Sequence, residues 1–157
     1  MKTLVFVLSF VFFIPMLKSQ PSTYYGGRYE GEGTSIGFKI AFDFKNGKML
    51  DTVYFASSLI HNYSLTHPDN PADWQPVFAA INPDPIHVLN FRFVQDSVYF
   101  ETDKHVFEGG DWRHFAFSGM RHKKTLTGMI KQKFCSSYDT SKVYTDNRQT
   151  TLIQANR

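Results

Sequence analysis

Between Ile36 and Phe44 the chain alternates without a break. Ile36, Phe38, Ile40, Phe42 and Phe44 are apolar, and Gly37, Lys39, Ala41 and Asp43 stand between them. A period of two puts all five on one face of an extended strand. Asn46-Gly47 follows, a dipeptide that tolerates the positive φ of a tight reversal, so a hairpin is expected. The return strand is read as Lys48–Ser57, with Met49, Val53 and Phe55 on one face. Leu50, Tyr54 and Ala56 leave its other face partly apolar, which calls for something covering the outer wall.

The same signal recurs downstream. Ile86–Val94 forms a strand with Leu89, Phe91 and Phe93 alternating, and Gln95-Asp96 turns it into Ser97–Thr102, where Val98 and Phe100 point one way. Further strands are read at His105–Glu108, Trp112–Gly119 and Lys124–Phe134, punctuated by Gly109-Gly110 and by Gly119–His122. A first strand is expected at Gly27–Gly31 and a last one at Thr150–Ala155. The fold class is therefore all-β: an antiparallel meander of about eight strands that closes into a barrel or flattens into a half-barrel. Closure removes exposed edges, which matters in a chain without crosslinks.

One segment breaks the pattern. His61–Pro85 holds Pro68, Pro71, Pro76, Pro83 and Pro85, and proline cannot donate to a central ladder. Asn70-Pro71 is suited to cap and begin a short helix through Trp74, with Asp73 near its positive end. Trp74, Val77, Phe78 and Ile81 make the segment too apolar for disorder, and it is expected to pack across one barrel mouth.

The first nineteen residues read as an export signal. Lys2 precedes an apolar run from Leu4 to Ile14, and Leu17-Lys18-Ser19 offers a cleavage point. The run is too short to span a bilayer, so the mature protein, residues 20–157, is expected to be one secreted or periplasmic domain that does not cross the membrane. The chain has 17 basic and 14 acidic residues, and the leader removes Lys2 and Lys18, so the mature charge nearly balances. That gives no reason to expect nucleic acid as a partner. Cys135 is the single cysteine and cannot form an internal disulfide. It is read as a small buried residue near a strand end, with an intermolecular disulfide or a nucleophile as the sharper alternatives.

Candidate sites are few. His61 and His67 share the Pro-rich loop with Asp69, but their spacing matches no metal-ligand pattern, and no metal or cofactor is expected. Arg121, His122, Lys123 and Lys124 form a basic run, read either as a solvated turn or as an anion-binding rim. Glu30 and Glu32 are read as solvent-facing edge charges. Asn62-Tyr63-Ser64 is a glycosylation sequon that matters only in a eukaryotic host. Four of the 16 Phe lie in the leader; the remaining 12 Phe, with 8 Tyr and 2 Trp, suit a small barrel's inward positions, or else line a cavity for an apolar ligand. No catalytic elbow or phosphate loop is present.

Three short stretches carry a resemblance: Gly27-Arg28-Tyr29-Glu30-Gly31, the arm from Phe38 to Gly47, and Thr125-Leu126-Thr127-Gly128. With them the chain resembles small secreted calycin-like, or lipocalin-like, β-barrels of bacteria, found alone or ahead of α/β-hydrolases. Its leader, ending in Lys-Ser-Gln, is similar to those of Bacteroidota. Such barrels mostly lack an assigned activity, so the resemblance transfers no catalytic residue. The expected function is non-enzymatic binding of a small apolar or amphipathic molecule, such as a lipid, in the barrel. Phe38, Ile40, Phe42, Phe91 and Phe93 are the wall candidates, Trp74 and Phe78 would close the pocket, and Arg121 or His122 would meet a polar head. The alternatives are a solid-core module that holds another envelope protein, and a hydrolase using His61 and His67.

Overall fold

The computed structural model describes residues 21–155 apart from 45, 108–109 and 137–138. The expected leader, residues 1–19, lies outside the described residues, as does the Glu108 end of one expected strand. The strands are β1 (Ser22–Gly31), β2 (Thr34–Asp43), β3 (Lys48–Ser57), β4 (Asp84–Val94), β5 (Ser97–Thr102), β6 (His105–Val106), β7 (Trp112–His122), β8 (Thr125–Ser136) and β9 (Asp139–Gln154). All pairings are antiparallel. β1 pairs with β9 and β5 pairs with β7, so eight strands close into a barrel and the two-residue β6 lies beside β7 as a spur.

The alternation read from the sequence sets the inner wall. Ile36, Phe38, Ile40, Phe42, Val53, Phe55, Ile86, Val98, Phe100, Phe115, Phe117, Leu126, Ile130 and Leu152 are all buried in one core, together with Tyr24 and Phe107. Edge-on and tilted ring contacts fill its middle: Phe38 and Phe55 lie 5.1 and 5.3 Å from Phe115. Burial of this kind contributes about 2 kcal/mol for each large apolar side chain.

A second, smaller core lies on the outside. The Pro-rich segment does not cross a mouth, as expected, but packs against the outer wall. Asn70 caps a 3-10 turn at Pro71–Asp73 by accepting from the Ala72 amide at 3.2 Å, and helix α2 (Trp74–Ala80) continues from it. Trp74, Val77 and Phe78 bury against Ala56, Tyr54, Tyr25 and Tyr63. The reason is a bare patch: Gly27 and Gly37 face outward on neighbouring strands, and the Trp74 ring occupies the space where their Cβ atoms would be. The helix thus covers the outward apolar face of β3, as the sequence called for, although Leu50 stays half exposed beyond its reach.

Several details differ from expectation. The ladder of β4 with β5 shifts between Val88 and Asn90. This bulge moves Leu89 outward to 56% exposure while Ile86, Val88, Phe91 and Phe93 turn in. β7 runs on through Gly119 to His122, and the turn falls at Lys123-Lys124, where Lys123 takes a φ of 53°. β9 begins eleven residues before Thr150. The Asn46-Gly47 hairpin is present, with Gly47 at a φ of 60°, but the last pair before it is Asp43 with Lys48, so the connection is longer than two residues.

Candidate functional site

The barrel's two ends differ in chemistry. At the end that carries the Asn46-Gly47 hairpin and the turns at 95–96 and 123–124, the inward side chains are aromatic. Phe42 contacts Phe44 at 5.1 Å and Phe91 at 5.7 Å, and Phe44 contacts Phe93 at 4.8 Å. The Arg121 guanidinium lies 4.3 Å from the Phe44 ring centre and 5.2 Å from that of Phe93, and its Nη2 donates to Asp96 at 3.0 Å. Cation–π contact and ion pair together hold this arginine across the mouth. Burial pushes the Tyr24 hydroxyl's pKa up, and Arg121 pulls it partly back.

Beside this mouth the wall parts. β3 and β4 pair over Thr52–Phe55 and Asp84–His87. Toward Gly47 they separate around a cleft of about 400 Å³ lined by Gly47, Lys48, Met49, Leu50, Val88, Leu89 and Phe91. Met49, Val88 and Phe91 are inward-facing, so the cleft reaches the edge of the core.

At the opposite end the inward positions become polar. Arg28 donates to Glu30 at 2.9 Å and to Asp146 at 2.7 Å. Gln132 lies opposite Asp146 in the β8–β9 ladder and is fully buried. Arg113 lies with its guanidinium 5.3 Å from the ring centres of both Phe55 and Phe134. Burial pushes its pKa down and nearby Arg28 adds to that, while Glu30 and Asp111 push back. Here β1 and β9 part: they pair at Tyr24–Gln154 and Tyr25–Ile153, and beyond that Arg148 reaches across to the Tyr29 carbonyl at 3.2 Å.

Of the residues selected from the sequence, Phe42, Phe91, Phe93 and Arg121 come together at the aromatic mouth. Phe38 and Ile40 are inward-facing and fully buried in the middle. Trp74 and Phe78 lie on the outer wall, away from the mouth, for the packing reason given above. His122 is exposed on β7's outward face and contributes its carbonyl to Thr125. His61 is tied down locally: Nδ1 lies 3.2 Å from the Ser57 amide and Nε2 3.5 Å from Asp84. His67 is exposed on the loop. Among the described residues no group of three metal-binding side chains forms. Cys135 is buried near the end of β8, with Sγ 3.7 Å from the Asp139 carbonyl.

Sequence reasoning missed the polar end. Glu30, read as an exposed edge charge, is partly buried against Arg28, whereas Glu32 is exposed in the β1–β2 turn. The available signal was parity: Arg113 shares a face with Phe115 and Phe117, Gln132 with Ile130, and Thr150 with Leu152. No protein-family profile, curated protein or solved structure matches the chain.

Proposed function

We propose that this calycin-like barrel is an exported, non-enzymatic binding protein for a small amphipathic molecule, taken up at the aromatic mouth. The cleft between β3 and β4 carries this reading, because it makes inward-facing Met49, Val88 and Phe91 reachable from outside. An apolar tail laid along Phe91 and Phe93 would leave its polar head near Arg121 and Lys48. Phe44, Phe91 and Phe93 are only partly buried, so they are the wall's least constrained aromatic rings. Titration with a fluorescent long-chain fatty acid tests the reading. Saturable binding is expected, weakened at least about tenfold by Val88→Lys, which puts a charge in the cleft. No saturable binding to the unmodified protein would overturn it.

The filled middle favours a second reading, a solid-core interaction module. Phe38, Phe42, Phe55, Phe100, Phe115 and Phe117 are each no more than 1% exposed. In that case the working surface would be the outer wall, where Val94, Met120 and Met129 are exposed around Tyr99 and Ser118. Failure of the titration would leave this reading the stronger.

A further inference from the structure

The polar end plays no part in either reading. Five side-chain atoms there are buried with no hydrogen-bond partner among the described residues: Nη1 of Arg28, Nη1 of Arg113, Nε2 and Oε1 of Gln132, and Oγ1 of Thr150. Buried polar groups in folded proteins are almost always paired, so five in one region call for an explanation. Four of the five can donate and only Oε1 is restricted to accepting. Gln132 is fully buried, and Arg28 and Thr150 are nearly so.

The charges there are unevenly matched. Arg28 is held by Glu30 and Asp146, and Arg148 shares Asp146. Arg113 hydrogen-bonds to no carboxylate among the described residues. Its guanidinium carbon lies 5.3 Å from the ring centres of both Phe55 and Phe134, and Glu30 and Asp111 act on it through their fields. The planar fork of a guanidinium matches the two oxygens of a carboxylate.

We propose that this end of the barrel is a carboxylate-binding site, in which a small monocarboxylate takes the edge of the Arg113 guanidinium and accepts from the Gln132 amide. Phe134, against which the Arg113 guanidinium lies, stacks on the half-exposed Tyr144 at 5.3 Å, so this end of the barrel reaches the surface. Glu30, Asp111 and Asp146 already bring negative charge, which disfavours a dianion such as phosphate. This proposal is independent of ligand binding at the aromatic mouth.

The test is titration of the full mature chain with acetate, and separately with inorganic phosphate, at constant ionic strength held with sodium chloride. The side-chain amide resonances of Gln132 are followed by NMR, and Tm is followed in parallel. Acetate is expected to shift the Gln132 resonances saturably and raise Tm by about 5 °C near saturation. Both responses should be lost in Arg113→Met and kept in Lys131→Gln on the outer wall. Phosphate should do neither. If Arg113→Met does not fold, Gln132→Leu replaces it, with Tm as the readout: it should lose the acetate response. No saturable shift, an equal response to phosphate, or a Tm response that survives Gln132→Leu would overturn the proposal. The Gln132 resonances report only this end, so their behaviour is separable from failure of the fatty-acid titration.

Discussion

Gly27 and Gly37 lie on the outer face of β1 and β2, and a Cβ on either would overlap the indole of Trp74. That indole is completely buried, and its Nε1 donates to the Pro68 carbonyl at 2.7 Å, so it cannot retreat without losing a bond. Gly37→Ala is therefore expected to destabilise the fold by about 3 kcal/mol, as overpacked sites do. The urea midpoint should fall with an unchanged slope, and an unchanged midpoint would show that the helix moves freely over the wall. The sequence marks both glycines as strand residues and Trp74 as a residue to bury. It does not say that the two fit together, because that contact links positions 37 residues or more apart. Glu30 shows the same limit, since its glycine neighbours suggest an edge while its partner Arg28 is held in turn by Asp146 on the distant strand β9.

At the scale of elements, alternation located strands well wherever one face was apolar. Lys48–Ser57 and Ser97–Thr102 coincide with β3 and β5. It failed over the first part of β9, where Asp146 and Arg148 occupy inner-face positions and erase the contrast between faces. It also misassigned Leu89, because a bulge adds one residue and reverses parity, and nothing in the local sequence reports a bulge. The parted strands carry their own prediction. Backbone groups of residues 48–51 and 88–94 that face the β3–β4 cleft have no ladder partner across it. Their amides should exchange hydrogen far faster than those of β7 and β8, which pair continuously from Trp112–Cys135 to His122–Thr125. Equal protection by NMR-detected exchange would mean that the cleft is closed in solution.

For the molecule as a whole, stability should fall away on both sides of neutral pH. Glu101 accepts from Asn90, Tyr99 and His114, and these bonds hold its pKa below the usual carboxylate range, the Asn90 bond most of all. Its contribution is present above that range and is lost as pH falls through the lowered value, and it is small because the group is a third exposed. Burial pushes the Tyr63 hydroxyl well above its usual value of 10.0, and that hydroxyl donates to the Ser35 carbonyl at 3.0 Å. Its contribution is full below pH 10.0 and is lost as pH rises toward the folded value. Urea midpoints measured across pH should show the alkaline loss reduced in Tyr63→Phe and the acid loss slightly reduced in Glu101→Gln. An alkaline limb identical in Tyr63→Phe would refute the assignment.

Local alternation, turn residues and the Asn70-Pro71 cap were enough to establish an antiparallel all-β chain with a short helix, because these signals act between neighbours along the backbone. Closure set the rest: which mouth is aromatic and which polar, where two seams part, and which wall the helix covers. Each of these depends on register between strands distant in sequence. A single strand carries its own periodicity but no information about which strand it will face.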